Sequence, residues 1–296
     1  MAHAHHTPRP AEEALTVLFC LIDDAYYRLN PKGRRYEGLK RLSDSEVLTL
    51  ALFQQLRSVE SCRAFLRDAG RFLAGLFPGV VGLWPSSLHR RLLRLRRFLE
   101  PLRRRILPEL VGDPETLVVD STLLSVLHPR QVKQSAGWGS PSSGAAWVRW
   151  GSFYVYGAKL HLLCASNGVP VSYELTAANV AEVRLVEELL AEARLEDGVA
   201  RELLGDLAYG SEALADALAE RGILLVTEKA DQRGRRQRIE ICFSALKRSL
   251  GLDRTLAKTL VGLATRIAVK ICAYTYAFYV NRMLGLPQGK IKELWA

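Results

Sequence analysis

The sequence predicts an all-α N-terminal region followed by an α/β domain, with the boundary near residue 112. From Glu12 to about Leu110 the apolar residues recur at helical spacing, without a strand-like alternation of useful length. After Gly112 the pattern changes, because residues 116–120 form a short β-branched run that ends in an acid. Short apolar strands then alternate with helices, an order typical of α/β proteins. We therefore expect two domains, residues 1–112 and 113–296.

The composition is that of an ordinary globular protein: of 296 residues, 49% are hydrophobic and 24% are charged. This balance excludes a disordered or fibrous chain.

The five cysteines are far apart, which argues against a zinc ribbon or a disulfide framework and suits a reducing cytosol. The start lacks the pattern of a signal peptide. The most apolar stretch, residues 261–280, carries Arg266 and Lys270, so we expect a buried helix of a cytoplasmic protein without a membrane partner.

Two signals place helices in the N-terminal region. Ser43 followed by Glu46 is a capping-box pattern, which predicts a helix start. A second helix is predicted from about Ser86, where one apolar face repeats at steps of three and four, and Pro101 is expected to kink or break it. The residues of that face are Leu88, Leu92, Leu95, Leu99, Leu102 and Ile106.

The net charge of +10 belongs mainly to the first third of the chain. Residues 1–112 carry 19 basic and 11 acidic side chains, and residues 113–296 carry 22 and 20. The second helix has eight arginines outside its leucine face against the single acid Glu100. A solvated face is the plain interpretation, but charge of nearly one sign favours a DNA-contacting face. The arginines that we expect to contact DNA are Arg94, Arg96 and Arg97.

The α/β domain is predicted element by element. Residues 129–151, rich in Gly, Ser and Trp, are expected to be a loop, and residues 153–165 and 171–175 a hairpin around the turn 166–168. The remaining predictions are helix 179–195, strand 202–205, helix 211–220, strand 223–227 and helices from about residue 238 onward.

Three acids stand out by their position. Asp120 is expected to close the first strand of the domain, Asp206 to close a later strand, and Glu240 to begin a helix. Taken singly, such an aspartate usually caps the next turn. As a set, carboxylates at the ends of neighbouring strands could hold two divalent cations, which suits in-line phosphoryl displacement.

The same residues carry a family resemblance. In order, the chain contains residues 118–122 (VVDST), 156–161 (YGAKLH) and 204–210 (LGDLAYG), followed by Arg236, Glu240 and Lys247. This set resembles the DDE transposases of bacterial insertion sequences, and more narrowly the nine-eighty-two group, which is related to the large insertion-sequence-four assemblage. The resemblance extends from residues 43–49 to residues 280–282.

The resemblance implies an RNase H-like mixed sheet flanked by helices, after an all-α DNA-binding region. Asp120, Asp206 and Glu240 would be catalytic ligands of two Mg²⁺ ions, with Mn²⁺ expected to substitute. The implied activity is cleavage of transposon ends followed by transfer of the 3′-OH strands to target DNA. Its partners would be double-stranded DNA, both terminal inverted repeats and target, and a second copy of the chain. Arg233 stands where the assemblage has a tyrosine, so recognition of the ends need not follow relatives that keep it.

Basic residues surround the proposed third ligand. Glu240 and Lys247 are two helical turns apart and share a face, so the lysine could touch a phosphate while the glutamate holds metal. Arg236 could clamp a phosphate bidentately. Residues 229–254 contain eight basic residues, among them Arg233 and Arg238, against three acids. They form either a DNA-binding patch or a solvated basic loop.

Several other side chains leave alternatives open. Lys159 and His161 alternate on one strand and face the same side, which could be the side of the active site. Lys159 could then contact DNA, and His161 could be a ligand or a structural histidine. Tyr209 is expected to pack. Three tryptophans could stack on unpaired bases or cover the core: Trp138, Trp147 and Trp150.

Two other functions fit part of the same pattern. A metal-dependent nuclease would use the same acids and would cut DNA without joining it. A catalytically silent DNA-binding protein would use only the arginine-rich helix. A strand-transfer assay separates these alternatives from a transposase.

Overall fold

The computed structural model describes residues 11–134, 137–138, 144–196, 198–227 and 233–291. The chain divides into two compact units. Unit 1 comprises Met1–Ile106, Arg248–Arg254 and Thr265–Ala296, and unit 2 comprises Leu107–Lys247 and Thr255–Ala264. The division predicted from the sequence, residues 1–112 and 113–296, differs from these units at three places. Residues 107–112 belong to unit 2, whereas residues 248–254 and 265–291 belong to unit 1.

The described part of the chain contains helices and one mixed sheet. The helices are α1 (Ala11–Leu29), α2 (Asp44–Leu56), α3 (Cys62–Phe72), α4 (Pro85–Leu95), α5 (Leu99–Val111), α6 (Val186–Ala193), α7 (Glu212–Glu220), α8 (Arg233–Arg248) and α9 (Leu260–Met283). The strands are β1 (Thr116–Leu127), β2 (Ala146–Trp150), β3 (Phe153–Ala165), β4 (Pro170–Ala177), β5 (Glu202–Leu204) and β6 (Leu224–Val226).

The predicted start of α2 is confirmed in detail. The Ser43 hydroxyl accepts a hydrogen bond from the backbone N–H of Glu46 at 3.0 Å, and the Glu46 carboxylate accepts one from the backbone N–H of Ser43. Both groups would otherwise be unpaired donors at a helix start. The capping box therefore fixes where α2 begins.

The predicted leucine-faced helix is two helices. α4 ends at Leu95, a 3-10 turn covers residues 96–98, and α5 follows. The break precedes Pro101, which is tolerated as the third residue of α5 because a helix start leaves its first N–H groups unpaired. The predicted face is buried at Leu88, Leu99 and Leu102, which are at most 2% exposed.

The apolar C-terminal stretch is helix α9, and its predicted burial is confirmed. Among the described helices it alone is long and apolar enough to cross a membrane by length and composition, and 72% of its most apolar window is buried. Its Lys270 ammonium donates to Gln55 Oε1 at 2.6 Å and to the carbonyl of Leu250. A charge inside an apolar helix is tolerated when it has such partners.

Unit 2 is built on a mixed sheet in which β3 is central to the antiparallel part. Along one edge β3 pairs with β1, and along the other edge it pairs with β4 and β2, which lie one after the other. On the far side of β1 follow β5 and then β6, both parallel to β1. The path from β4 through β3, β1 and β5 to β6 has the strand order of an RNase H-like sheet, as expected.

The core of unit 2 lies between one face of the sheet and two helices. Leu117 and Val119 of β1 pack with residues of α6 and α7, including Leu189 and Leu218, and all four are at most 1% exposed. The predicted helix 179–195 is shorter in the structure. A 3-10 turn, Glu182–Leu185, precedes α6.

The long segment before β3 corrects the sequence analysis. Residues 129–151 were expected to be a loop, but Pro129–Gln134 form a 3-10 helix and β2 occupies Ala146–Trp150. β2 pairs residue by residue with the first half of β3 through a turn at Gly151, whose φ is +60°. Pairing with a neighbouring strand satisfies backbone groups that composition alone assigned to a loop.

Candidate active site

Two aspartates lie at the same level on neighbouring strands of unit 2. The last residues paired between parallel strands β1 and β5 are Val118 and Leu204. Asp120 and Asp206 each follow that pair by two residues, so side-chain alternation puts both on the same face of the sheet. Paired strands are about 4.8 Å apart, and both carboxylates are close enough to raise the pKa of the same Tyr209 hydroxyl.

Only one of the two aspartates follows the end of a strand. Asp206 lies beyond β5, where its Oδ1 accepts a hydrogen bond from the backbone N–H of Ala208 at 2.9 Å and caps a 3-10 turn. Asp120 lies inside β1, so the prediction that it closes the strand is wrong. β1 continues to Leu127 because its other edge remains paired with β3 after the pairing with β5 has ended.

The pKa of a buried tyrosine near the two aspartates is raised by their negative charge. Tyr209 is 1% exposed and belongs to the core between the sheet and helices α6 and α7, which confirms that it packs. Burial raises the pKa of its hydroxyl far above the usual value, and the negative charges of Asp120, Asp206 and Glu182 raise it further. Three carboxylates therefore act on one buried hydroxyl at this end of β5.

Lys159 and His161 lie on the other face of the sheet. Residues directly opposite in an antiparallel pair share a face, and Asp120 is opposite Leu162 whereas His161 is opposite Ser121. The expected alternation of Lys159 and His161 holds, but Asp120 points to the opposite side. His161 is fully buried and its Nε2 lies 2.9 Å from the Thr176 hydroxyl, the arrangement of a structural histidine.

Lys159 is buried inside unit 2. The prediction that it contacts DNA is therefore wrong. It is 7% exposed, and its ammonium donates to Glu182 Oε1 at 2.6 Å and to the Val180 carbonyl at 2.9 Å. The Ser121 hydroxyl also donates to Glu182 Oε1, at 3.3 Å. The backbone N–H of Ser121 donates to Asp120 Oδ1 at 2.8 Å. A chain of polar contacts thus connects Lys159 to the residue beside the candidate ligand.

Glu182 is the partner of Lys159 that sequence reasoning missed. A signal was present, because Lys159 stands in an otherwise apolar strand, and a lysine in such a strand requires an anionic partner. The sequence does not say which acid supplies it. Glu182 is 23 positions away and reaches Lys159 only through the packing of the turn before α6.

Comparison with known proteins assigns the family. A family model described as a transposase DDE domain matches residues 111–276, more than half of the chain. The chain belongs to the transposase DDE domain family. The family assignment supports a transposase activity, that of an enzyme acting on DNA. No curated protein matches the chain.

Solved structures show a looser similarity to this DDE domain protein. The crystal structure of the Mos1 strand transfer complex is 16% identical, covers 80% of this chain and 77% of that chain, and has a TM-score of 0.31. A pre-cleavage Mos1 transpososome is 14% identical, covers 79% and 77%, and has a TM-score of 0.27. The family assignment therefore depends on the matched residues 111–276.

DDE transposases generally use divalent metal ions, and two residues of this site fit one. Asp120 and Asp206 offer carboxylate oxygens, the ligands that hard divalent cations prefer, from neighbouring strands and on one face. Within the described residues, however, no group of three or more His, Cys, Asp or Glu could hold a metal. Glu240 does not meet the two aspartates there, and its role as third ligand stays a prediction.

The placement of α8 explains the position of Glu240. A Cβ added to Gly168, in the turn between β3 and β4, would lie 3.2 Å from the carbonyl oxygen of Arg238. That turn is beside the beginning of β1, because β3 is antiparallel to β1, whereas Asp206 follows the end of β5. Glu240 is two residues after Arg238 on α8, so it lies near the β3–β4 turn.

The basic residues of α8 are only partly described. Arg238 is exposed and Lys247 is half-buried, and both stand on the same helix as Glu240, as expected. The helix packs through Ile239, Cys242 and Leu246, which are fully buried. Arg233 and Arg236 lie in the first turn of α8, but their side chains are outside the described residues.

The arginine-rich segment of unit 1 separates into two groups. Arg103 is fully buried and its guanidinium donates to Glu100 Oε1 at 2.6 Å, while Arg91 pairs with Asp44 at 2.6 Å. These arginines stabilise the helices and are not part of a DNA-contacting face. The three that were expected to contact DNA are exposed, namely Arg94, Arg96 and Arg97.

The structure also separates the three tryptophans. Trp138 is 3% exposed and covers the core, whereas Trp147 and Trp150 are 44% and 61% exposed on β2. The structure therefore assigns Trp138 to the core, and stacking on unpaired bases stays a prediction for Trp147 and Trp150.

Proposed function

We propose that this protein is a bacterial insertion-sequence transposase that cleaves transposon ends and transfers the freed 3′-OH strands to target DNA. The observation that carries the proposal is the pair Asp120 and Asp206, on one face and at one level of parallel strands, inside the matched segment 111–276. The motif order further supports assignment to the nine-eighty-two group.

In this proposal the acidic residues bind metal ions and the basic residues bind phosphates. Asp120 and Asp206 would hold two Mg²⁺ ions, for which Mn²⁺ can substitute, with Glu240 as the third ligand. Such ions, when bound, activate an attacking oxygen and stabilise the leaving oxygen of an in-line displacement. Lys247 and Arg236 would hold the phosphate that undergoes displacement, because a lysine supplies a point charge and an arginine a bidentate fork.

The reaction consists of two displacements at phosphorus. Water attacks the phosphodiester at the transposon end, the bond to the 3′ oxygen breaks, and a 3′-hydroxyl is released. That hydroxyl then attacks a phosphodiester of the target, forming one P–O bond and breaking another. Both steps use the same carboxylates, so loss of either aspartate should stop both.

The partners follow from this task. The substrate is double-stranded DNA, both terminal inverted repeats and target, and the net charge of +10 favours binding to its phosphates. The exposed arginines of unit 1, Arg94, Arg96 and Arg97, would supply part of that binding. Acting on two ends at once requires a homodimer on DNA. The cytoplasm, with access to the bacterial nucleoid, is the compartment that suits this activity.

The deciding experiment incubates the purified protein with its gene and flanking DNA in Mg²⁺, in Mn²⁺ and in EDTA. Asp120→Asn and Asp206→Asn are compared with wild type and with Asp216→Asn, which changes an exposed aspartate of α7 in the same conservative way. Products are mapped at nucleotide resolution for cutting and for joining. We expect metal-dependent breaks at the inverted repeats and joined products, lost in the two site variants and retained in the control.

The other outcomes contradict the proposal in distinct ways. Breaks without joined products indicate a nuclease, and binding without metal-dependent breaks indicates a catalytically silent DNA-binding protein. Normal cleavage by Asp206→Asn removes that residue from the metal site.

A further inference from the structure

The hairpin formed by β2 and β3 exposes an unusual set of side chains. Residues 146–156 contain five aromatic residues, one arginine and no acid. The exposed fractions are 44% for Trp147, 61% for Trp150, 75% for Phe153 and 65% for Tyr154. Large rings at these exposures are a candidate binding surface, because a soluble chain otherwise buries them.

Strand pairing sorts these side chains onto two faces. Trp147 is opposite Tyr156 and Arg149 is opposite Tyr154, so these four share one face, which we call the aromatic face. The rings of Trp147 and Tyr156 are in edge contact, with centroids 5.4 Å apart. The Arg149 guanidinium donates to the Gly151 carbonyl at 3.3 Å and remains exposed. Trp150 and Phe153, which are opposite each other, occupy the reverse face.

The aromatic face lies on the same side of the sheet as the candidate ligands. Tyr154 and Tyr156 are separated from Leu162 by even numbers of residues along β3, and Leu162 is the partner of Asp120. Side chains two apart along a strand point to the same side. At about 3.3 Å per residue, Tyr156 is about 20 Å and Tyr154 about 26 Å along the strand from the level of Asp120. That span is about six to eight nucleotide steps of DNA at about 3.4 Å each.

We propose that the aromatic face binds unpaired DNA bases about six to eight nucleotides from the position that is cleaved, an inference that rests on the proposed transposase function. Every unpaired base offers a flat π-face to an aromatic ring, whereas bases inside a duplex already stack on each other. The exposed Arg149 on the same face attracts phosphate, and residues 146–156 themselves contain no acid that would oppose this attraction. The ligand class is therefore single-stranded or locally unpaired DNA.

Binding in EDTA tests this surface without cleavage. Fluorescence anisotropy compares a labelled, fully paired duplex with the same duplex carrying an unpaired tail of about ten nucleotides. The variants are Trp147→Ala and Tyr154→Ala, with Tyr154→Phe retaining the ring and Phe153→Ala changing the reverse face. We expect each aromatic-face alanine variant to weaken binding of the tailed DNA about fivefold or more, with little change for the duplex. Tyr154→Phe and Phe153→Ala should bind like wild type.

Three results would overturn the inference. Equal loss on tailed and paired DNA would show that the rings do not read unpaired bases, and unchanged affinity would show that they bind neither. A change in the oligomeric state of Tyr154→Ala, measured by light scattering, would assign the surface to a second copy of the chain. Circular dichroism of each variant verifies that it is folded.

The surface and the reaction can fail separately. If wild type makes no metal-dependent breaks while Tyr154→Ala loses binding to the tail, the proposed reaction is wrong and the surface remains. If the aspartate variants are inactive while every hairpin variant binds tailed DNA normally, the reaction remains and the surface is rejected.

Discussion

The buried His161 imidazole should make unit 2 less stable as the pH falls. Burial, and after it the positive charge of Lys159, lower its pKa from 6.5 to about 4, while the negative charge of Glu182 opposes the shift. Among the described residues, its Nδ1 is buried without a hydrogen-bond partner, so protonation there would add an unpaired N–H. The unfolded chain accepts this proton at a higher pH than the folded one, so stability is lost between about pH 6.5 and pH 4.

The size of this effect follows from the two pKa values. One pH unit corresponds to about 1.4 kcal/mol, so the full interval is worth about 3 kcal/mol, of which about 2 kcal/mol is lost by about pH 5. Because His161 is fully buried, solvent screening does not reduce this figure appreciably. The prediction is therefore large enough to measure by chemical unfolding.

Urea unfolding of wild type and His161→Gln at about pH 7.5 and about pH 5 measures the difference. Glutamine is neutral at both pH values and keeps a polar group near Thr176, and the carboxylates that titrate in this range are common to both proteins. His128→Gln, which changes an exposed histidine, is the matched control. Wild type should lose about 2 kcal/mol more than His161→Gln on acidification. An equal loss in both proteins would refute the assignment to His161.

Three further predictions concern charge pairs, packing and DNA contact. Glu182→Gln leaves the buried Lys159 ammonium without its carboxylate partner and should lower the free energy of unfolding, measured in urea, by about 3 kcal/mol. Adding Lys159→Met should recover most of this loss. A double variant that is no more stable than Glu182→Gln would contradict the prediction. Gly157→Ala would drive a Cβ into the carbonyl oxygen of Leu124 across the β1–β3 pair and should lower stability by about 2 kcal/mol, and an unchanged Tm would be inconsistent with that contact. Replacing three exposed arginines, Arg94, Arg96 and Arg97, with glutamine should weaken DNA binding and reduce the slope of log affinity against log salt concentration by about 3. An unchanged slope would show that these arginines form a solvated face.

Local signals in the sequence predicted most elements of the fold. The capping box at Ser43 specified the start of α2, because both of its partners are within one turn. The turn at Gly168, with φ +85°, joins β3 to β4 as predicted, because few other residues tolerate that conformation. β2 was missed because its few residues gain their strand conformation from pairing with β3. The break between α4 and α5 was placed too late because a proline in the first turn of a helix does not disturb it.

The sequence by itself identified the family to which the chain belongs and predicted which acids form the site. Asp120 and Asp206 were predicted from their motifs, and each follows the last residue pair of the parallel strands β1 and β5 by two positions. Only the tertiary structure decided which face of the sheet each side chain occupies. His161 is paired with Ser121, the residue after Asp120, so His161 and Asp120 lie on opposite faces. The tertiary structure also shows that Glu182 is the partner of Lys159. It shows further that the β3–β4 turn contacts Arg238, two residues before Glu240. Such contacts join residues far apart in the chain, and they depend on packing that no local spacing encodes.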